Sequence, residues 1–97
     1  MSVEDDAPHG PVTIPIKDVL DVHHFAPRDI PSVVASYVDA ACDAGLAEVR
    51  VIHGRGRGIQ RARVWRTLSR HPRVAEVREA TPERGGWGAT VVRLRRS

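Results

Sequence analysis

The chain has 97 residues, 41% hydrophobic and 28% charged, with 15 Lys and Arg against 12 Asp and Glu and a formal net charge of +3. This length limits it to one domain with one small core, and its apolar runs fall short of the roughly 20 residues that a membrane-spanning helix needs. The single cysteine, Cys42, rules out an intramolecular disulfide and fits a reducing compartment. With no basic segment followed by an apolar run near the N-terminus, a cytoplasmic protein without a signal peptide is expected.

In chain order, residues 1–13 combine Pro8, Gly10 and Pro11 with the acids Glu4, Asp5 and Asp6. They are expected to be a flexible tail, with the domain occupying 14–97. The stretch DVLDVHHF follows. Its Val19, Leu20 and Val22 read as a strand apolar on both faces, as in a covered, mostly parallel sheet. Asp21 and His23 are two apart and are expected on one strand face. From Ile30 to Ala41 the apolar residues Ile30, Val33, Val34, Tyr37, Val38 and Ala41 recur at helical spacing, with Gly45 as the stop.

AEVRVIH is the second expected strand and IQRARVWRTLSR the second helix, ending before His71-Pro72. On that helix Ala62, Val64, Trp65 and Leu68 are expected to face the core. Arg63, Arg66 and Arg70, three and four apart, line the other side. RVAEVREA reads as the third strand, TPERGGWG as a turn, and ATVVRLR as the last strand, with Thr90, Val92 and Leu94 inward. The order β-α-β-α-β-β predicts right-handed crossovers and a common direction for the first three strands, with the fourth antiparallel. His23, the HGRGRG loop and the RGGWG turn then follow the C-terminal ends of parallel strands. All three are expected at one sheet edge, the edge where ligands bind in open α/β sheets.

Charge points to the partner. From Arg50 to Arg73 there are eight arginines and no carboxylate, a footprint for a polyanion such as nucleic acid. Between strand and helix, Gly54, Gly56 and Gly58 let the backbone approach a phosphate. Arg55 and Arg57 can fork onto its oxygens, and the helix N-terminus adds free N–H groups. Ile59-Gln60 stand where a nucleotide-triphosphate loop needs Lys followed by Ser or Thr, and the third glycine is one residue early for a dinucleotide fold. A plain tight turn remains the alternative for the loop alone.

His23 and His53 both end strands that are about 5 Å apart if adjacent. Two imidazoles beside a phosphate cradle suit general acid–base phosphodiester chemistry, with Asp21 orienting one of them. A structural hydrogen bond is the competing role for each. No cofactor and no metal ligand is assigned: the edge offers only Asp21 and Glu83, too few carboxylates for two metal ions, and His23 with His53 lack a third ligand for zinc. Divalent-metal dependence is therefore unsupported. Trp87, between glycines, either stacks on a nucleobase or plugs the core; Trp65 reads as core.

Taken together, LDVHHF, IHGRGRG and RGGWGAT, in this order and spacing, resemble the Smr (small MutS-related) domain, over about residues 16–95. The resemblance implies a β-α-β-α-β-β two-layer α/β sandwich with a four-stranded mixed sheet and two helices, similar to the C-terminal domain of translation initiation factor three. It implies a nucleic-acid-binding domain, expected to be an endonuclease that nicks DNA or cleaves RNA, with a non-catalytic repair- or ribosome-associated binding module as the alternative. Motif matching puts the family's LDLH pattern on Leu20, Asp21, Val22 and His23. The glycine-loop motif falls on His53, Gly54, Arg55, Gly56 and Gly58, and the late motif on Gly85, Gly86, Gly88, Ala89 and Thr90. Asp21, His23, His53 and Arg55 are the expected catalytic residues. Gly54, Gly56, Arg57, Gly58, Arg63, Arg66, Arg70 and Trp87 are expected to bind nucleic acid. Two departures stand out: His24 replaces a frequent glycine, and Arg55 replaces the usual lysine. A monomer without membrane contact is expected. An enzyme acting on a small phosphorylated metabolite is disfavoured by so shallow an edge.

Overall fold

The computed structural model describes residues 16–54, 56 and 58–95. The expected tail at 1–13 lies outside the described residues. The chain forms β1 (Val19–Asp21), α1 (Ile30–Asp43), β2 (Glu48–Ile52), α2 (Ile59–Arg70), β3 (Val74–Glu79) and β4 (Ala89–Leu94), with short 3₁₀ turns at Pro27–Asp29, Pro82–Arg84 and Gly86–Gly88. The four strands make one sheet in the order β1-β2-β4-β3. β1 and β2 are parallel, and β4 runs antiparallel to both β2 and β3. β1, β2 and β3 therefore share a direction, as the β-α-β-α-β-β order predicts, but β4 is wedged between β2 and β3.

Alternation along the strands splits the sheet into two unlike faces. Val49 and Val51 of β2 pair with Val92 and Thr90 of β4. These residues are buried with Ile30, Val34, Val38 and Ala41 of α1 and Val64 and Leu68 of α2. Both helices thus cover one face. On the other face, ion pairs of Arg78 and Arg84 with Glu48, and of Arg93 with Glu76, surround a small apolar patch of Ile52, Ala80, Ala89 and Val91. The expectation of a strand covered on both sides is corrected: this is a two-layer α/β sandwich, and Val19 and Leu20 remain partly exposed.

Helix ends follow local chemistry. Pro31 stands in the first turn of α1 and the Ser32 hydroxyl donates to the Asp29 carbonyl at 3.1 Å. At the other end Gly45 is left-handed (φ 83°), and the N–H groups of Gly45 and Leu46 donate to the carbonyls of Cys42 and Ala41. This double bond pattern closes a helix onto glycine. One facing is corrected: Ala62 is exposed, because it lies about 160° around the helix from Val64 at 100° per residue, while Arg61 and Thr67 flank the buried stripe. Among the described residues no helix is long and apolar enough to cross a membrane.

Leu68 is fully buried. Leu68→Ala is expected to lower the unfolding free energy by about 2–5 kcal/mol, whereas Ala62→Gln changes it by less than about 0.5 kcal/mol, both read from urea denaturation followed by circular dichroism.

Candidate functional site

β1 stops at Asp21, earlier than the expected DVLDVHHF strand. The chain then turns sharply, with the Phe25 N–H donating to the Val22 carbonyl at 3.0 Å. His23 and His24 are the two central residues of that turn. The Asp21 carboxylate accepts the His23 backbone N–H at 3.0 Å and also pairs closely with His23 Nδ1. The two residues meet through this turn rather than along a strand face. Burial acts to raise the Asp21 pKa, but the two His23 hydrogen bonds and the nearby imidazoles hold it below its usual 3.8. The pair is open to solvent, with side chains 42% and 47% exposed. The His24 ring lies against that of His23, centroids 3.8 Å apart.

His53 occupies a different environment. It follows Val49 and Val51 onto the helix-covered face and is only 3% exposed. Its Nδ1 lies 2.9 Å from the Gly54 carbonyl, which only accepts, so Nδ1 carries the proton. Nε2 then accepts from the Thr90 hydroxyl at 2.8 Å, and that same oxygen accepts the Trp65 Nε1–H at 2.8 Å. Burial, reinforced by the Arg61 charge and opposed by the Gly54 carbonyl, pushes the His53 pKa below 6.5. The expected sharing of proton transfer between His23 and His53 does not fit this arrangement, since both His53 ring nitrogens are committed inside the fold.

What His53 does hold is the loop. The Gly88 carbonyl accepts the N–H groups of both His53 and Gly54 at 3.0 Å, tying the glycine loop to the RGGWG turn. Gly54 sits beside His23, whose Cβ is 3.9 Å from where a Gly54 side chain would begin. Gly58 starts α2 at φ 81°, and a Cβ there would come within 3.2 Å of the Trp87 ring. Left-handed backbone and a close ring together require glycine at this position. Trp87 is 42% exposed. The Arg61 guanidinium is sandwiched between the rings of Trp87 and Trp65, 4.2 and 4.5 Å from their centroids, and ion-pairs with Glu79 at 3.7 Å.

The remaining expected contacts spread out. Arg55 and Arg57 lie outside the described residues. Gly56 is exposed at φ 38°. Arg63 donates to the Pro27 carbonyl at 2.9 Å. With Arg66 and Arg70 it borders a groove of about 470 Å³ between the helices, leading away from the sheet edge. On the other sheet face a hollow of about 390 Å³ adjoins Gly54, lined by Arg50, Ile52, Arg84 and Gly88.

The Smr domain family model matches residues 20–95. The chain belongs to the Smr domain family. This Smr domain is 40% identical over 80 residues to Endonuclease MutS2 of Halalkalibacterium halodurans, covering 82% of this chain and 10% of that protein. It is 46% identical over 59 residues to Endonuclease MutS2 of Clostridium novyi, covering 61% of this chain and 8% of that protein. The chain thus spans about a tenth of these relatives. Among solved structures, the Smr domain of Thermus thermophilus MutS2 superposes with a TM-score of 0.77 at 32% identity, over 81% of this chain and 99% of that one. YdaL, a stand-alone small MutS-related protein from Escherichia coli, gives 0.78 at 32% identity, over 84% and 67%.

Sequence reasoning missed three participants in the Smr site. Thr90 reads as an inward strand residue at the end of the late motif, with no hydrogen-bonding role assigned to its hydroxyl. Arg61 was counted among the basic block rather than as the filling between two tryptophans. His24 had no assigned role; the only sequence cue to its turn is Asp21, whose carboxylate accepts the His23 N–H.

Thr90→Val, which keeps the shape but removes the hydroxyl, strands the Trp65 N–H and His53 Nε2. It is expected to cost about 2 kcal/mol or more in urea denaturation, while Thr90→Ser costs about 1 kcal/mol for the lost methyl group. Because folding depresses the His53 pKa below 6.5, the unfolded chain binds the extra proton first. His53 therefore stabilises fully above that pH, and its contribution is lost as pH falls below it. His53→Gln is expected to be less stable at pH 8 and to show a flatter decline of stability between pH 6.5 and 5.

Proposed function

We propose that this Smr domain binds nucleic acid and cleaves a phosphodiester bond at the sheet edge where β1 and β2 end. The observation that carries the reading is the solvent-open Asp21–His23 pair beside the backbone of Gly54, in a chain whose relatives are named endonucleases. In this reading the imidazole of His23 takes the proton from the attacking hydroxyl or water as its oxygen bonds to phosphorus. The P–O bond to the leaving ester oxygen breaks and that oxygen takes a proton from solvent, while Asp21 holds the ring and stabilises the imidazolium that results. The glycine loop and its Arg55 and Arg57 receive the scissile phosphate, next to the positive N-terminus of α2. Proton transfer of this kind needs only the imidazole, with guanidinium groups balancing the charge that builds on the phosphate.

His53 is a positioning residue in this scheme. Kept neutral, it holds the Gly54 carbonyl and with it the first turn of the loop. Arg63, Arg66 and Arg70 follow the phosphate backbone beyond the reacting bond, and Trp87 offers its exposed side to a base. Binding alone would use the same arginine row, so turnover separates an enzyme from a docking module.

A fluorescent assay across branched DNA, duplex DNA and structured RNA tests this. His23→Ala and Asp21→Asn are expected to slow cleavage by about 10²–10⁴-fold with binding affinity retained. Arg66→Ala with Arg70→Ala should instead weaken binding and reduce its salt dependence, each by about one phosphate contact. Cleavage by His23→Ala at the unaltered rate would overturn the assignment, and salt-dependent binding with every substrate left intact would favour the docking module.

A further inference from the structure

The turn that ends β1 brings together more than an acid–base pair. Asp21, His23 and His24 each offer one donor atom, and all three atoms lie within 4.8 Å of one another. Each side chain is exposed, so an ion reaches them without any opening of the fold. Two imidazoles and one carboxylate are the donor set that zinc-class ions take at three protein ligands, leaving outer positions to water. Magnesium and calcium, which favour oxygen-only shells, suit it poorly.

Local geometry explains why the set is nearly assembled. His23 and His24 occupy the corner of one hydrogen-bonded turn, and Asp21 is fixed to that corner by accepting the His23 N–H. Drawing the three donors onto one ion, with bonds of roughly 2.0–2.2 Å, needs side-chain rotations and no movement of the sheet. The other described histidines are engaged elsewhere: His53 bonds to Gly54 and Thr90, and His71, half-buried beside α1, bonds to Asp39 at 3.2 Å and accepts the Arg73 N–H.

We propose that Asp21, His23 and His24 together bind one divalent transition-metal ion of the zinc class. The ion engages the pair assigned above to proton transfer, so zinc restrains cleavage and a chelator restores it. Only this consequence rests on the proposed nuclease function; the binding itself does not. His24 is what converts the pair into a three-donor site.

The test uses the tag-free full chain titrated with zinc chloride in a calorimeter, with cobalt(II) absorption and imidazole ¹⁵N spectra as independent readouts. One ion per chain is expected, with shifts in the ring signals of His23 and His24. His24→Ala and Asp21→Asn should each weaken binding at least about tenfold, and His9→Ala should leave it unchanged. Absence of stoichiometric uptake, unchanged affinity in His24→Ala, or ring shifts confined to other histidines would overturn the site. In the nuclease assay, zinc should suppress cleavage by the unaltered chain but not by His24→Ala. If both proteins cleave and zinc suppresses them equally, the link to catalysis falls. If zinc binds at these rings while neither protein cleaves any substrate, the metal site stands and the nuclease reading fails.

Discussion

The carbonyl of Gly88 receives the N–H groups of both His53 and Gly54, and the sheet edge depends on that one acceptor. It fixes where β2 ends against β4 and joins two glycine-rich segments through Gly54 and Gly88, more than thirty residues apart in the chain. The bond is available because β4 runs between β2 and β3, which places the turn before β4 directly over the end of β2. Without that insertion the glycine loop and the tryptophan turn would have no shared frame.

Around this acceptor the fold divides its histidines by environment. On the helix-covered side, Trp65, Thr90, His53 and the Gly54 carbonyl form a chain in which every donor meets an acceptor. A neutral imidazole completes that chain, and burial keeps it neutral. A satisfied buried polar network of this kind fixes geometry more than it supplies reactivity. One strand away, His23 sits in a solvent-open turn with a carboxylate against its ring. The buried histidine holds the loop still, and the exposed one presents its ring to solvent beside Asp21.

The arginines are divided in a similar way. Arg78, Arg84 and Arg93 are paired with Glu48 and Glu76 on the open sheet face, Arg73 with Asp39 and Asp43, and Arg61 with Glu79 between two aromatic rings. Among the described residues Arg66 and Arg70 have no ion pair and stand exposed on α2. The charge available to a polyanion is therefore narrower than the block of eight arginines suggests, because carboxylates distant in sequence neutralise part of it. Exposed pairs of this sort add little stability, and their larger effect is on where free positive charge remains.

By itself the sequence determined the element order, the stripe from Ile30 to Ala41, the close of α1 at Gly45, the span of α2 and the membership suggested by its three motifs. These depend on local periodicity, on turn chemistry and on residue types at fixed spacing, all of which are written along the chain. Only the tertiary structure decided that His53 faces inward, that Ala62 faces out, that Trp87 rests on Arg61 and that His24 joins Asp21 and His23. The acceptor of the His53 ring, Thr90, is 37 residues away, and strand pairing brought it there. The end of β1 at Asp21 was equally hidden, because Val22 is as apolar as its strand neighbours and the Phe25 N–H to Val22 carbonyl bond that closes the turn leaves no residue pattern. Motif spacing can name the residues at this sheet edge, but which are buried and bonded, and which stand open to solvent, is set by the partners that distant strands bring to them.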